Sequence, residues 1–383
     1  MRDSRILKID YGDGAVDQLP AHIGERGWRR VLLVCGRTSF EASGAARIMP
    51  TLAANAEIHR WSDFAPNTDS ADLMRGIKVL RGFEPDAVVA IGGGSAMDMA
   101  KLLCAYHELG DSGAVMAAIR GGARVDSRRL GLCVVPTTSG SGSEATHFAV
   151  VYIGESKFSI AGPGIYPDLA ILDPTLAMSG SAYQRATSGI DAVCQAIESL
   201  WAKGATNRSR IFARRALYLL LPHIEAFVAS PTPIASRAMM MGSHLAGRAI
   251  DISKTTAAHA LAYTITKRYG ISHGHAVAMS LGRLIEAHAE ADPHRLQGGI
   301  DLDSHTKVMK EIENILQQYD GNSTRLRFSN LLNRIGLHDS LHKIGMTKLE
   351  QIKYLLSTVN IERLSNNPLI LSESDFLEIF QTR

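Results

Sequence analysis

Cysteine is scarce in this chain of 383 residues, and the four present, Cys35, Cys104, Cys133 and Cys194, form no C-x-x-C pair. That removes the usual sequence signs of a cysteine-rich zinc module or a dithiol redox motif. Cys35 and Cys133 lie inside apolar, strand-like runs, and Cys194 points about 100° away from its neighbour Gln195 on a helix, so these three read as packing residues. An excess of one charge is lacking as well. The 41 basic and 38 acidic residues leave a net charge of +3, spread without a basic block or interleaved aromatics. This argues against nucleic acid or a membrane surface as partner. No apolar run reaches the roughly eighteen residues of a membrane helix, and none follows Met1-Arg-Asp-Ser-Arg5, so a cytoplasmic protein is expected. Internal repeats and low-complexity segments are absent too. What remains is a composition, 45% hydrophobic and 21% charged, of an ordinary globular protein. Its length exceeds what one core usually serves, so two domains are expected, 1–178 and 179–383.

The first half alternates short apolar runs with amphipathic ones. Val31–Cys35, Asp86–Ile91, Leu130–Val135 and Leu169–Leu172 read as strands apolar on both faces. Strands of that kind, separated by helices, indicate an α/β domain with a parallel sheet covered on both sides, and a ligand at the strands' carboxyl ends.

Three loops leave those ends. Cys35-Gly36-Arg37-Thr38-Ser39 carries no carboxylate where a dinucleotide site often places one on the adenosine ribose, so Gly36, Arg37 and Ser39 favour a 2'-phosphorylated cofactor. A plain tight turn explains the same residues. Gly92-Gly93-Gly94-Ser95-Ala96-Met97-Asp98 ends a strand and opens a helix. Its glycines let backbone N–H groups approach a pyrophosphate at a positive helix end. The spacing is neither G-x-G-x-x-G nor a Walker loop. The third, Pro136-Thr137-Thr138-Ser139-Gly140-Ser141-Gly142-Ser143-Glu144, offers five hydroxyls to phosphate, ribose and nicotinamide, and the strand before it sets it apart from a flexible linker.

After Asp173-Pro174 strands give way to helices, expected at Tyr183–Ala202, Asn207–Ala229, Ile234–Ala249, Ala257–Tyr269, Ala276–Ala291 and Ser304–Gln317. On the first, Asp191 and Gln195 are four residues apart and share a face. His259 and His273 follow on later segments. A carboxylate, an amide and two imidazoles can close around a divalent metal with a position left open. Equally, each can be an ordinary polar residue of its own helix.

Taken together, Gly92–Asp98, Pro136–Glu144, Gly189-Ile190-Asp191 and the segment from His259 to His273, in this order and at these separations, resemble the iron-containing (group III) alcohol dehydrogenases. The resemblance covers nearly the whole chain. It implies a Rossmann-like dinucleotide-binding α/β domain, an all-α metal- and substrate-binding domain in a dehydroquinate synthase-like arrangement, and NADPH or NADH, with NADP favoured. It also implies a divalent metal, iron or zinc, held by Asp191, Gln195, His259 and His273, and a homodimer acting on a small-molecule substrate. Gln195 departs from the family's usual His; an amide oxygen binds more weakly and tilts preference from iron toward zinc. Tyr263 stands where many relatives carry a further His, and a phenol is a proton donor rather than a base at neutral pH. The catalytic set is then Asp191, His259, His273 and Tyr263. Candidate cofactor contacts are Gly36, Arg37, Asn67, Gly92, Gly93, Gly94, Ser95, Asp98, Thr137, Thr138, Ser141 and Lys157.

Within that family, Ser253–Tyr263, Tyr269–Ala278 and the late stretch Val359–Pro368 look like the branch that reduces phosphonoacetaldehyde. Lys254, with Thr255 and Thr256 beside it and with Arg248 and His275 as weaker candidates, would hold the anionic group of such a substrate. Lys254 can equally serve only to solvate a helix end. The expected reaction is metal-assisted hydride transfer from NAD(P)H to a small anionic aldehyde, the proton coming from water, Tyr263 or His275. Two alternatives stand beside it: NAD-linked oxidation of a polyol or sugar-acid alcohol, and a non-catalytic dinucleotide binder with a degenerate metal site.

Overall fold

A computed structural model of the chain describes residues 7–344, 348–359 and 361–381. Two compact units emerge, Met1–Gly180 with Thr232–Gly247, and Ser181–Pro231 with Arg248–Arg383.

The first unit holds strands β1 (Lys8–Tyr11), β2 (Arg30–Cys35), β3 (Glu57–Trp61), β4 (Ala87–Gly92), β5 (Gly131–Pro136) and β8 (Leu169–Leu172) in one sheet, and β6 (Phe148–Ile153) with β7 (Ser156–Ala161) in an antiparallel hairpin. The order in the sheet is β1-β8-β5-β4-β2-β3, parallel throughout. The interior strands are those whose residues are apolar and buried on both faces, as a sheet covered by helices requires. β1 and β3 escape that pattern. Lys-Ile-Asp-Tyr and Glu-Ile-His-Arg-Trp mix exposed polar side chains with apolar ones because they form the two edges. Cys35 and Cys133 pack in the core beneath the sheet with Leu33, Ile91 and Ile171, where burial pushes both thiols up. The chain runs from β2 outward to β3 and returns to β4 on the other flank of β2, so the winding reverses between β2 and β4. Loops leaving the carboxyl ends there flank the crevice in which open α/β sheets hold ligands.

The second unit is helical. Its centre is the helix Ala182–Trp201, started by a Ser181/Gln184 capping box and buried continuously from Gly189 to Trp201. A helix buried all round is apolar by default, so its polar members, Asp191, Gln195, Glu198 and Ser199, each require a partner or a purpose. The helix expected over Asn207–Ala229 is two, Asn207–Leu220 and Ile224–Ala229. Pro222 lies in the gap and lacks the N–H that would continue the ladder. Among the described residues no helix is long and apolar enough to cross a membrane.

A buried polar knot ties three helices of this unit to the segment carrying Asn367. The His288 ring stacks on Trp201 at 4.3 Å, its Nδ1 faces His305 Nε2 at 3.3 Å, and its Nε2 meets Asn367 Oδ1 at 3.1 Å. Burial, aided by His305, lowers the His288 pKa to about 3. An unfolded chain takes up a proton near pH 6.5 that the folded chain refuses. This contribution to stability is therefore complete above about pH 6.5 and erodes as pH falls toward 3. Urea unfolding at pH 7 and pH 5 should show a loss of up to about 1.4 kcal/mol per pH unit from this one group. A His288→Gln variant should show a shallower pH dependence.

Candidate active site

In the first unit the predicted loops meet. Thr137 N–H donates to Gly92 O at 2.9 Å. A Cβ on Gly93 would touch Thr138 Oγ1 at 3.4 Å, and one on Gly94 would press on Ser141 at 3.0 Å. A Cβ on Gly92 would collide with Ala96 at 2.7 Å, which is why the turn from β4 into the helix Gly94–Tyr106 needs glycine. Asn67, in the left-handed region at φ 64°, donates its N–H to Ser95 Oγ at 3.0 Å and so joins the same group. Gly36 follows β2 beside Gly92, and Arg37 donates to Ser62 O at 3.2 Å and Asp63 Oδ1 at 2.6 Å. Asp63 gave no sequence signal, yet it places a carboxylate on the arginine expected to meet a phosphate. Asp98 turns inward, accepting from Ser143 Oγ at 2.6 Å and Val150 N at 3.0 Å, and Lys157 lies on β7 with its Nζ 6.0 Å from the Tyr152 ring centre.

In the second unit one carboxylate and two imidazoles converge. Ligand atoms of Asp191, His259 and His273 lie within 4.8 Å of one another. His259 belongs to the helix Ala257–Tyr269, whose Gly270 stop has φ 68°, and His273 opens the next helix, His273–Ala289. A Cβ on Gly274 would stand 2.0 Å from Thr187 O and 2.6 Å from Asp191 Cβ. Only glycine lets that helix lie against Asp191. Tyr263 stacks on the His273 ring at 5.7 Å and 14°, and His273 meets the His259 ring edge-on at 5.5 Å.

Glu198, absent from the sequence-based set, is the fourth participant. Fully buried, it faces His259 Nδ1 with Oε2. Burial pushes both groups toward neutrality, but their pairing outweighs it. Glu198 is held below the ordinary carboxylate range, and His259, flanked also by Asp191, is raised to about 9. Its sign in the sequence was position, seven residues after Asp191 on the same helical face. Two buried carboxylates around one imidazole demand positive charge. Asp191 Oδ1 and His259 Nε2, 3.4 Å apart, are both buried without a well-formed hydrogen bond. That donor set, oxygen and imidazole nitrogen with two buried atoms awaiting a partner, fits a divalent cation.

Gln195 belongs to the same cluster, with its Oε1 buried beside the trio, whereas the residues proposed for the substrate anion lie apart from it. Gln195 Nε2 donates to Asp191 Oδ2 at 3.1 Å. His275 places its Nδ1 at 3.2 Å from Tyr183 Oη and its Nε2 against the His338 backbone at 3.0 Å, so both ring nitrogens are engaged. Lys254 is exposed and left-handed at φ 59°, while Thr255 is buried. Asn366 holds this turn by donating to Ser253 O at 2.8 Å and Thr255 O at 3.0 Å. Arg248 lies over the Phe212 ring at 4.5 Å.

A parallel sheet with glycine and hydroxyl loops at its strand ends, and a carboxylate with two imidazoles gathered in a helical unit, are the parts of a metal-assisted nicotinamide oxidoreductase. The chain belongs to the iron-containing alcohol dehydrogenase family: residues 7–174 match the family model itself and residues 185–383 match that of the family's C-terminal region. It is thus an oxidoreductase acting on CH–OH groups, in a family that uses a nicotinamide cofactor and a divalent metal. A phosphonoacetaldehyde reductase of Streptomyces viridochromogenes is 35% identical over 213 residues, 54% of either chain. A long-chain-alcohol dehydrogenase of Geobacillus thermodenitrificans is 27% identical over 97% of this chain and 93% of its own. The sulfoacetaldehyde reductase of Bifidobacterium kashiwanohense, solved in complex with NAD+, superposes with a TM-score of 0.82 at 26% identity, covering 98% of this chain and 96% of that one.

Proposed function

We propose that this protein reduces a small anionic aldehyde, with phosphonoacetaldehyde the leading candidate, to the primary alcohol, NADPH being the favoured hydride donor. On this reading residues 1–178 bind the dinucleotide and residues 179–383 bind metal and substrate. The observation that carries it is the convergence of Asp191, His259 and His273 with two buried ligand atoms left over. A divalent cation there supplies Lewis acidity to a carbonyl oxygen. Asp191 would contribute the negative charge that retains it, and Glu198 holds the His259 Nδ1 proton, so that a cation replacing the second proton of this imidazole would meet the Nε2 lone pair. Tyr263, ordered by its stack on His273, is assigned as proton donor to the nascent alkoxide; His275, engaged at both nitrogens, is not.

The anionic substrate is supported by Lys254. A non-glycine residue held in the left-handed region stores about 1–3 kcal/mol of strain, and such residues gather at functional sites. Here it sets an exposed ammonium five residues before His259. Relatives acting on phosphonoacetaldehyde and sulfoacetaldehyde point the same way. Steady-state kinetics on phosphonoacetaldehyde and uncharged aldehydes of equal length, with NADPH and NADH, test it. A charge-assisted contact should favour the anionic aldehyde by about 10–100-fold in kcat/KM, and Lys254→Ala should erase the preference. Equal rates on charged and uncharged substrates, or faster NAD-linked oxidation of a polyol, would overturn this assignment.

A further inference from the structure

We infer that Gln195 and Glu198 are positioning residues of the cation site, each restraining the far atom of one ligand so that its near atom faces the ion. This rests on the metal reading above and goes one step past it. Asp191 has two oxygens. Oδ2 takes the Gln195 amide hydrogen at 3.1 Å, while Oδ1 has no hydrogen bond and faces His259 Nε2 at 3.4 Å. An ionised carboxylate only accepts, so the part of Gln195 that meets it is the NH2, acting as a donor to the ligand; its Oε1 is buried as well and is the atom through which a ligand role would act, the alternative that the spectra of Gln195→Leu decide.

His259 repeats the arrangement. Nδ1 is held by Glu198 Oε2 and Nε2 is left over. Glu198 cannot swing away, because Oε1 accepts from Thr256 N at 3.1 Å, Thr256 Oγ1 at 2.6 Å and Ala258 N at 2.9 Å. Thr256 is the N-cap and Ala258 the second residue of the helix that carries His259, so one carboxylate both caps that helix and holds the imidazole Nδ1. Thr256 Oγ1 is anchored in turn by Trp201 Nε1 at 2.9 Å. With its oxygens occupied by the helix start and His259, Glu198 is an orienting group rather than a ligand. Asp191, Gln195 and Glu198 follow the i, i+4, i+7 spacing of a single helical face. One face therefore delivers a ligand together with the two groups that aim the ligands, and the glutamine that replaces the family's usual histidine has a task in this chain.

The test is Co2+ titration of the chelator-stripped, full-length protein, followed by absorption of the bound ion, for wild type, Gln195→Leu, Glu198→Gln and Glu198→Asp. Loss of an orienting contact should weaken Co2+ binding by about 10–100-fold while the saturated spectrum keeps the wild-type band positions. Glu198→Asp should recover part of the affinity lost in Glu198→Gln. Circular dichroism and melting of the metal-free proteins control for folding, and Gln195→Leu, which leaves the cap on the His259 helix intact, carries the test if Glu198→Gln does not fold. Affinity within twofold of wild type in both Gln195→Leu and Glu198→Gln would overturn the inference. Displaced bands in saturated Gln195→Leu would also overturn it, by showing that a ligand had been removed. Failure of the wild type itself to bind Co2+ would instead remove the metal reading of the preceding subsection, and this inference with it.

Discussion

Asp191→Ala should emerge from metal-replete expression without its divalent ion, and its NADPH-dependent aldehyde reduction should fall by on the order of 10³-fold. The expectation follows from what Asp191 provides. It is the only carboxylate in the gathered trio, and its Oδ1 is buried beside His259 Nε2 with no other bond to make. Alanine leaves two imidazoles, a neutral donor set that does not balance a dication removed from water. A different outcome is expected at Tyr263, where phenylalanine keeps the stack on His273 and removes only the hydroxyl. General acid catalysis contributes about 10²–10⁴-fold, so Tyr263→Phe should lower kcat while metal content stays at the wild-type level. Elemental analysis beside steady-state kinetics separates the two variants. Asp191→Ala retaining one ion per chain and near wild-type turnover would remove the trio from the chemistry altogether.

How much of this was legible depends on whether a residue's role shows in its own stretch of chain. Interior strands were visible because burial on both faces writes an unbroken apolar run, as in Val31–Cys35 and Ala87–Gly92. β1 and β3 were not, since an edge strand keeps polar side chains facing water and loses that signal. Loops rich in glycine and hydroxyls announced themselves, and the structure packs Gly93 against Thr138 and Gly94 against Ser141. What they touch at long range was silent. Arg37 offered a free cation on paper, whereas Asp63, twenty-six residues on, occupies it. Glu198 was hidden for a related reason. A glutamate on a helix is ordinarily solvated, and only the continuous burial of Gly189–Trp201, a tertiary fact, turns it into a buried anion with an obligatory partner. Periodicity likewise ran Asn207–Ala229 together, where the missing amide of Pro222 accompanies a break.

Lys101 is the most informative of these silent residues, and its replacement should damage the first unit most. Its side chain is fully buried in the helix Gly94–Tyr106, and Nζ donates to Ser143 O at 2.6 Å, Thr146 O at 2.8 Å, Phe148 O at 2.9 Å and Thr146 Oγ1 at 3.1 Å. One turn earlier on the same helix, Asp98 takes Ser143 Oγ and the Val150 amide. The helix that begins at the glycine loop therefore grips the backbone of the hydroxyl loop and of β6 from beneath, holding Thr138 against Gly93 and Ser141 against Gly94. Lys101→Met keeps the length and removes every donor. Taking the charged donor from three buried carbonyls and the neighbouring cation from Asp98 should cost about 3–5 kcal/mol in all, the range for breaking a buried charged pair. Urea unfolding should register that loss, and because the loop slackens, NADPH should bind at least about tenfold more weakly, as read by cofactor fluorescence. The second unit's Co2+ affinity should stay unchanged, since Lys101 and its partners all belong to the first. An unfolding midpoint and NADPH affinity indistinguishable from wild type would show that the hydroxyl loop stands without the lysine, and that its packing on the glycine turn suffices.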